Sequence, residues 1–303
     1  MTEPAATADT RFDDFVAAFQ IEGLPVRGRI VRLGAAVDEV LTRHDYPEPV
    51  ANLLGEACAL AALVGSSLKF EGKLILQAQG DGPVRYVVAD YDASGALRGY
   101  CRFDPERLAE VSGGFARPGA KTLLGDGVFV MTVDQGPDMA RFQGITPIEG
   151  ETLALCAEQY FAQSEQTPTR VRLAVGRVQD EGAERWRAGG VLLQNIASDQ
   201  ARGSTEEAWE RAQMLFATTG DDELIDPVLS SERLLFRLFH EDGVRLFSPQ
   251  NLDASCRCSE ERIIGVLRSF PEEERADMLT DDGTIHVTCE YCAREYALRP
   301  EAV

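Results

Sequence analysis

The chain has 303 residues, of which 44% are hydrophobic, and carries 50 acidic against 30 basic side chains for a net charge of −20. That length and apolar share exclude a disordered chain and leave room for roughly two domains. The strong negative charge repels phosphate backbones and anionic lipid, so neither nucleic acid nor a membrane is an expected partner.

The opening MTEPAATADTRFDDFVAAF places acids where a secretory leader needs a basic start and an apolar run. The longest nearly apolar run, Ala57 to Leu68, is short for a bilayer. The expected location is therefore the cytoplasm, where thiols stay reduced and close-set cysteines favour metal binding or redox sensing over a structural disulfide.

Residues 9–20 put Phe12, Phe15, Val16 and Phe19 at helical spacing behind Asp9, which predicts a helix. VRGRIVRL after Pro25 alternates as a strand, and residues 34–44 return to a helical pattern that stops at DYPEP. A long helix from about Pro49 to Phe70, small or apolar nearly all round, should be buried. KLILQAQ, VRYVVADY, LRGYCRF and VFVMTVD then read as short strands between Gly, Pro and Asp punctuation. RFQGITPIEG leads into a helix near 151–163, and VRLAVGRV and AGGVLLQNI are two further strands. Adjacent strands followed by helices predict an α+β fold with a mainly antiparallel sheet over residues 1–198.

Residues 199–250 have a different texture and predict a helical linker. Ser204 and Glu207 form a capping box that opens a helix through Trp209, Met214, Leu215 and Phe216. After GDDELIDP, the stretch SSERLLFRLFH sets Leu234, Leu235, Leu238 and Phe239 on one face, and such a face needs a partner. Residues 251–303 form the third piece, a small C-terminal module that holds both cysteine pairs.

Those pairs are Cys256 with Cys258, and, thirty residues on, Cys289 with Cys292. Four thiolates on two short chelating loops predict a tetrahedral zinc site. His286, three residues before Cys289, is the alternative ligand. At its least, zinc would staple a tail too small to fold firmly alone, contributing on the order of 10 kcal/mol. Each pair could also close its own disulfide, and a ring across one intervening residue is strained and easily reduced. Spacing alone leaves the staple and the redox device both open.

Other signals are weaker. GFARPGAKT at 114–122 misses the phosphate-loop register because Ala120 stands between Gly119 and Lys121. Cys58, Cys101 and Cys156 sit among apolar neighbours as core residues, and His44 and His240 are isolated. The tail counts twelve acids against six arginines and no lysine, the wrong balance for a ribbon that binds nucleic acid. No nucleophile with a base, and no cofactor motif, points to an enzyme.

HDYPEPV (44–50), LKFEGKLILQAQGDGPV (68–84), RFQGITPIEGETLA (141–154), YFAQSEQTPT (160–169), AGGVLLQ (188–194), LFRLFHEDGVRLFSPQ (235–250), CRCSEERI (256–263) and DDGTIHVTCEYCAREY (281–296) occur in that order. With them the chain resembles the heat shock protein 33 family of redox-regulated bacterial chaperones, over residues 26–298. The resemblance implies an ATP-independent holdase, inactive while Cys256, Cys258, Cys289 and Cys292 hold one zinc ion. Oxidation would pair Cys256 with Cys258 and Cys289 with Cys292, release zinc, unstructure the linker and yield a form, commonly a homodimer, that holds unfolding client proteins. NIA after VLLQ replaces a proline frequent in the family, and the chain stops soon after the cysteine module, but neither departure touches a ligand. The competing expectation is a zinc-stapled interaction module without redox switching.

Overall fold

The computed structural model describes residues 13–67, 72–112, 117–136, 139–180, 182–196 and 205–303. In chain order, strands β1 (Phe15–Ile21) and β2 (Val26–Leu33) precede helices α1 (Ala35–Thr42) and α2 (Glu48–Gly65). A meander of β3 (Lys73–Gly80), β4 (Val84–Asp92) and β5 (Ala96–Phe103) leads through α3 (Pro105–Ser112) and α4 (Ala120–Leu124) to β6 (Gly127–Asp134) and β7 (Phe142–Pro147). Helix α5 (Leu153–Tyr160) is followed by the long hairpin of β8 (Thr169–Asp180) and β9 (Ala183–Asn195). Then come α6 (Thr205–Phe216), α7 (Asp221–Ile225) and α8 (Ser231–Phe239), and the short strands β10 (Val244–Leu246), β11 (Gln250–Asn251) and β12 (Asp253–Ala254). The last piece holds α9 (Glu260–Leu267), α10 (Glu272–Asp277), β13 (Ile285–Thr288) and β14 (Glu295–Leu298).

The fold is α+β, but the expected single sheet is two. Among the described residues, one sheet runs β10-β1-β2-β9-β8 with β11 also on β1, and the other runs β12-β5-β4-β3-β6-β7. Helix α2 lies between them, touching β2, β8 and β9 of the first sheet and β3, β4 and β5 of the second. Its glycines permit that double contact. A Cβ on Gly55 would come within 2.7 Å of Val175 in the first sheet, and one on Gly65 within 2.2 Å of Tyr91 in the second. By length and a mean hydropathy of 1.2, α2 would also suit a bilayer, yet 83% of it is buried inside the fold, as a core helix is.

The helix expected over residues 9–20 is corrected. From Phe15 onward the segment is strand β1, paired antiparallel with β2, while Asp9 and Phe12 lie outside the described residues. Phe15, Ala17, Phe19 and Ile21 face one core and Val16 the other. A strand buried on both faces is apolar throughout, so its period of two is hidden and Phe15, Val16 and Phe19 mimic a helix.

Glu56 is the one carboxylate on the α2 core face that burial pushes far up, to about 7, although the Leu153 backbone and Arg117 favour its charged form. The unfolded chain ionises Glu56 near its ordinary value, so the folded state binds the extra proton between about 4.5 and 7. Its contribution to stability is full below that window and is lost as pH rises through 7. A Glu56→Gln chain should melt at the parent's temperature at pH 5 and several degrees above it at pH 8. Equal melting shifts at both pH values would contradict this.

The outer face of the first sheet is covered by α6 to α8. Trp209, Phe216, Leu224, Leu234, Leu235, Leu238 and Phe239 pack on Phe15, Phe19, Ile21, Ile30, Val191 and Leu193, and the rings of Phe19 and Phe239 stack 6.2 Å apart. Helix α8 presents the face read from the sequence and is capped by Ser230, whose hydroxyl accepts from the Arg233 N–H. Ser204 lies outside the described residues.

Two buried arginines tie this cover down. Arg32 Nη1 donates to the carbonyls of Glu223 and Leu224, both at 2.7 Å, and Nη2 donates to Asp226 at 2.9 Å and to Leu229. Burial and the neighbouring Arg187 press its pKa down to about 10, so it stays charged at neutral pH. Arg187 donates to the Ile225 carbonyl at 2.9 Å and forks onto Asp13. The chain leaving α8 then runs along β1 as β10 and β11, crosses to the second sheet, and pairs there in parallel with β5 as β12. Two residues later it reaches Cys256.

Candidate metal centre

The four cysteines of the two pairs converge. Their Sγ atoms all lie within 4.8 Å of one another, with Cys256 and Cys289 at 3.7 Å and Cys258 and Cys292 at 3.4 Å. Four sulfurs about 2.3 Å from a tetrahedral metal stand about 3.8 Å apart, so this donor set fits a thiolate-ligated ion. All four are half-buried.

Local chemistry shapes both loops. Cys256 extends from β12, and directly after Cys258 the Ser259 hydroxyl accepts from the Arg262 N–H, capping α9 and ending the first loop. The second loop closes the β13–β14 hairpin, whose register pairs Ile285 with Leu298 and Thr288 with Glu295. There the Cys289 N–H donates to the Arg294 carbonyl at 2.9 Å and the Ala293 N–H to the Cys289 carbonyl at 2.8 Å. Ala293 takes a left-handed φ of +55°, which turns the chain sharply after Cys292.

The electrostatics favour a thiolate. Burial raises the Cys258 pKa, but hydrogen bonds from the Tyr296 hydroxyl, at 3.1 Å, and from the other three thiols outweigh it and bring it down to about 7. Burial pushes Cys292 up to about 12, helped by its donation to Cys258, and Cys289 also moves up. One sulfur thus carries charge near neutrality and its neighbours donate to it, the state a soft cation converts by displacing the remaining protons. The hydrophobic centre beneath is small: Leu267, Ile285 and Leu298 are its buried members.

Other sequence candidates fall elsewhere. His286 is half-exposed and its Nε2 pairs with Asp282 at 2.9 Å and with Thr284, away from the four sulfurs. Cys58, Cys101 and Cys156 are buried core residues, and burial raises all three thiols, Cys58 to about 12. Lys121 of the phosphate-loop lookalike is taken up by Asp126 at 2.8 Å and the Ile148 carbonyl at 3.0 Å. His44 packs against Tyr46 and Tyr100, and His240 against Phe236.

Sequence reasoning missed three residues around the site. Tyr296 reaches Cys258 across 38 positions, which no local spacing reveals. Arg257 and Tyr291 stand inside the two cysteine pairs and reach the second sheet, Arg257 through Asp90 and Asp92 and Tyr291 under Arg98. A cation enclosed by two cysteines in an acidic tail was the available hint.

A two-sheet α+β core under a helical cover thus ends in a module of four cysteines whose sulfurs could hold a metal ion. The sequence model of the family described as "Hsp33 protein" matches residues 14–299, and the chain belongs to that family. It is 74% identical over 288 residues to the 33 kDa chaperonin of Caulobacter vibrioides, covering 95% of each chain. It is 36% identical over 285 residues to that of Enterobacter sp., covering 93% of this chain and 91% of the other. Its fold is similar to the crystal structure of the 33 kDa chaperonin from Thermotoga maritima, with a TM-score of 0.76, 25% identity and coverage of 95% and 96%. The role of this family is that of a chaperone.

Proposed function

We propose that this chain is a redox-regulated, ATP-independent holdase of the bacterial cytoplasm, not an enzyme, in which Cys256, Cys258, Cys289 and Cys292 are both zinc ligands and redox thiols. The observation that carries the reading is the convergence of four sulfurs within 4.8 Å at the end of the segment that covers the first sheet. Zinc held there would supply the crosslink that a centre of three buried residues lacks.

In the reduced state the module holds β12 on β5, β10 and β11 stay on β1, and α6 to α8 remain over the sheet. On oxidation, Cys256 pairs with Cys258 and Cys289 with Cys292. Each pair gives up two protons and two electrons to one peroxide, which leaves as two waters. The thiolates are consumed, the module loses its main support, and the cover loosens from the sheet. The face carrying Phe15, Phe19, Ile21 and Ile30 then meets water, an apolar patch of the kind that takes up other chains. The net charge of −20 keeps the loaded complex soluble, and the oxidised form is a homodimer. Residues 1–198, 199–250 and 251–303 act as core, linker and switch.

The pairing is tested by oxidising the reduced chain with peroxide, blocking free thiols and mapping disulfide-linked peptides. Bridges within each motif are expected, with Cys58, Cys101 and Cys156 still blocked as thiols after denaturation. Bridges between Cys256 and Cys289 in place of these would overturn the pairing.

A further inference from the structure

One residue enclosed by each cysteine pair, Arg257 in the first and Tyr291 in the second, reaches the same spot on the second sheet. Arg257, between Cys256 and Cys258, forks onto two carboxylates of β4, with Nη2 at 2.8 Å from Asp90 Oδ2 and Nη1 at 3.1 Å from Asp92 Oδ2. Asp90 is 2% exposed and also accepts from Arg98 Nε at 2.8 Å and Nη2 at 2.6 Å. Asp90 and Arg98 face each other directly across β4 and β5. The Arg98 guanidinium in turn lies 3.9 Å from the ring centroid of Tyr291, which is enclosed by Cys289 and Cys292. The Tyr291 ring packs 6.4 Å from Tyr100 on β5.

Arg257, Asp90, Arg98 and Tyr291 therefore close a circuit that passes through both cysteine loops and one patch of sheet. Such an arrangement requires both loops to hold their present shapes at once. Arg257 has cysteines on both sides and Tyr291 lies one residue from Cys292, so neither side chain can keep its position when the loop around it is recast. The fork is planar and two-pronged, and its acceptors are fixed on a β-strand, so a small displacement breaks it.

We infer that Arg257 and Tyr291 are positioning residues that latch the cysteine module onto the second sheet, so that module docking and occupancy of the four-sulfur site support each other. This rests on the reading of the four cysteines as a metal site. Coupling is reciprocal: loss of the metal frees the latch, and loss of the latch must weaken metal retention by the same factor. The latch thereby links the sulfur cluster to β5, to its partner β12, and through the strands that precede β12 to the helical cover.

The test uses the full reduced chain loaded with zinc, as parent, Arg257→Gln, Asp92→Asn and the double variant. Asp92 is chosen because it lies on the sheet, outside the module, and an amide keeps its contact with the Ser94 turn. Two quantities are read: the rate of zinc transfer to a colorimetric chelator, and amide hydrogen exchange along Asp253 to Cys258. Each single variant should transfer zinc about tenfold faster, within the usual range of coupling between sites, and the double variant no faster than Arg257→Gln. Exchange along β12 should quicken in all three, and Arg257→Lys should recover part of the loss. Asp92→Asn at the parent rate, or singles whose effects multiply in the double variant, would overturn the latch. A parent that retains no zinc would instead overturn the metal site itself, and the latch with it.

Discussion

A Cys256→Ser chain is expected to lose zinc and to hold client proteins without any oxidant. A structural zinc contributes on the order of 10 kcal/mol to a small module, so one thiolate of four carries a few kcal/mol, a loss of about a hundredfold or more in retention. The module has little else to stand on, because its buried hydrophobic members are Leu267, Ile285 and Leu298. Weakened retention therefore becomes unfolding, first in β13 and β14, then along β12. Metal analysis, hydrogen exchange of the β13–β14 hairpin and suppression of a model client's aggregation check the three steps. A chain that keeps zinc at parent affinity and remains inactive would show that Cys256 is not a ligand.

Phe239→Ala should separate the cover from the metal. Phe239 is fully buried, stacked on Phe19 and seated at the end of α8. Truncating a buried phenylalanine costs about 3–5 kcal/mol, a large share of what a short helix gains by docking on a sheet. The four cysteines are untouched, so zinc content should equal the parent's. Exchange should quicken in α6 and α8 while β13 and β14 stay protected, and the reduced, zinc-loaded protein should suppress aggregation. Open helices with no gain in client binding would mean that the face under α6 to α8 is not the client surface.

Much of this was readable because the signals were local. Helix α2 announced itself by being small or apolar all round, and β2 through β6 by alternation between Gly, Pro and Asp. The four cysteines showed in their spacing, and the structure brings them together. What stayed hidden was long-range. Nothing in the strands says that α2 divides them into two sheets, since each strand alternates the same way whichever neighbour it finds. Arg32 and Arg187 carry no local sign of burial in the sequence but are 3% and 2% exposed, because α7 closes over them. The short strands β10 to β12 carry too few residues for a pattern, although they form the path from cover to cysteines. Nothing in the sequence pairs Arg257 with residues far from it, yet it is an ion-pair partner of two carboxylates of β4.

The most direct measurement follows three quantities together in one peroxide titration of the reduced, zinc-loaded chain under mild warming: zinc released, thiols remaining and client aggregation suppressed. Zinc release, loss of the four thiols of Cys256, Cys258, Cys289 and Cys292, and onset of suppression should share one midpoint, with the three core thiols intact. Complete zinc release and oxidation of both pairs with no suppression would contradict the switch and leave a metal-stapled module that does not regulate client binding.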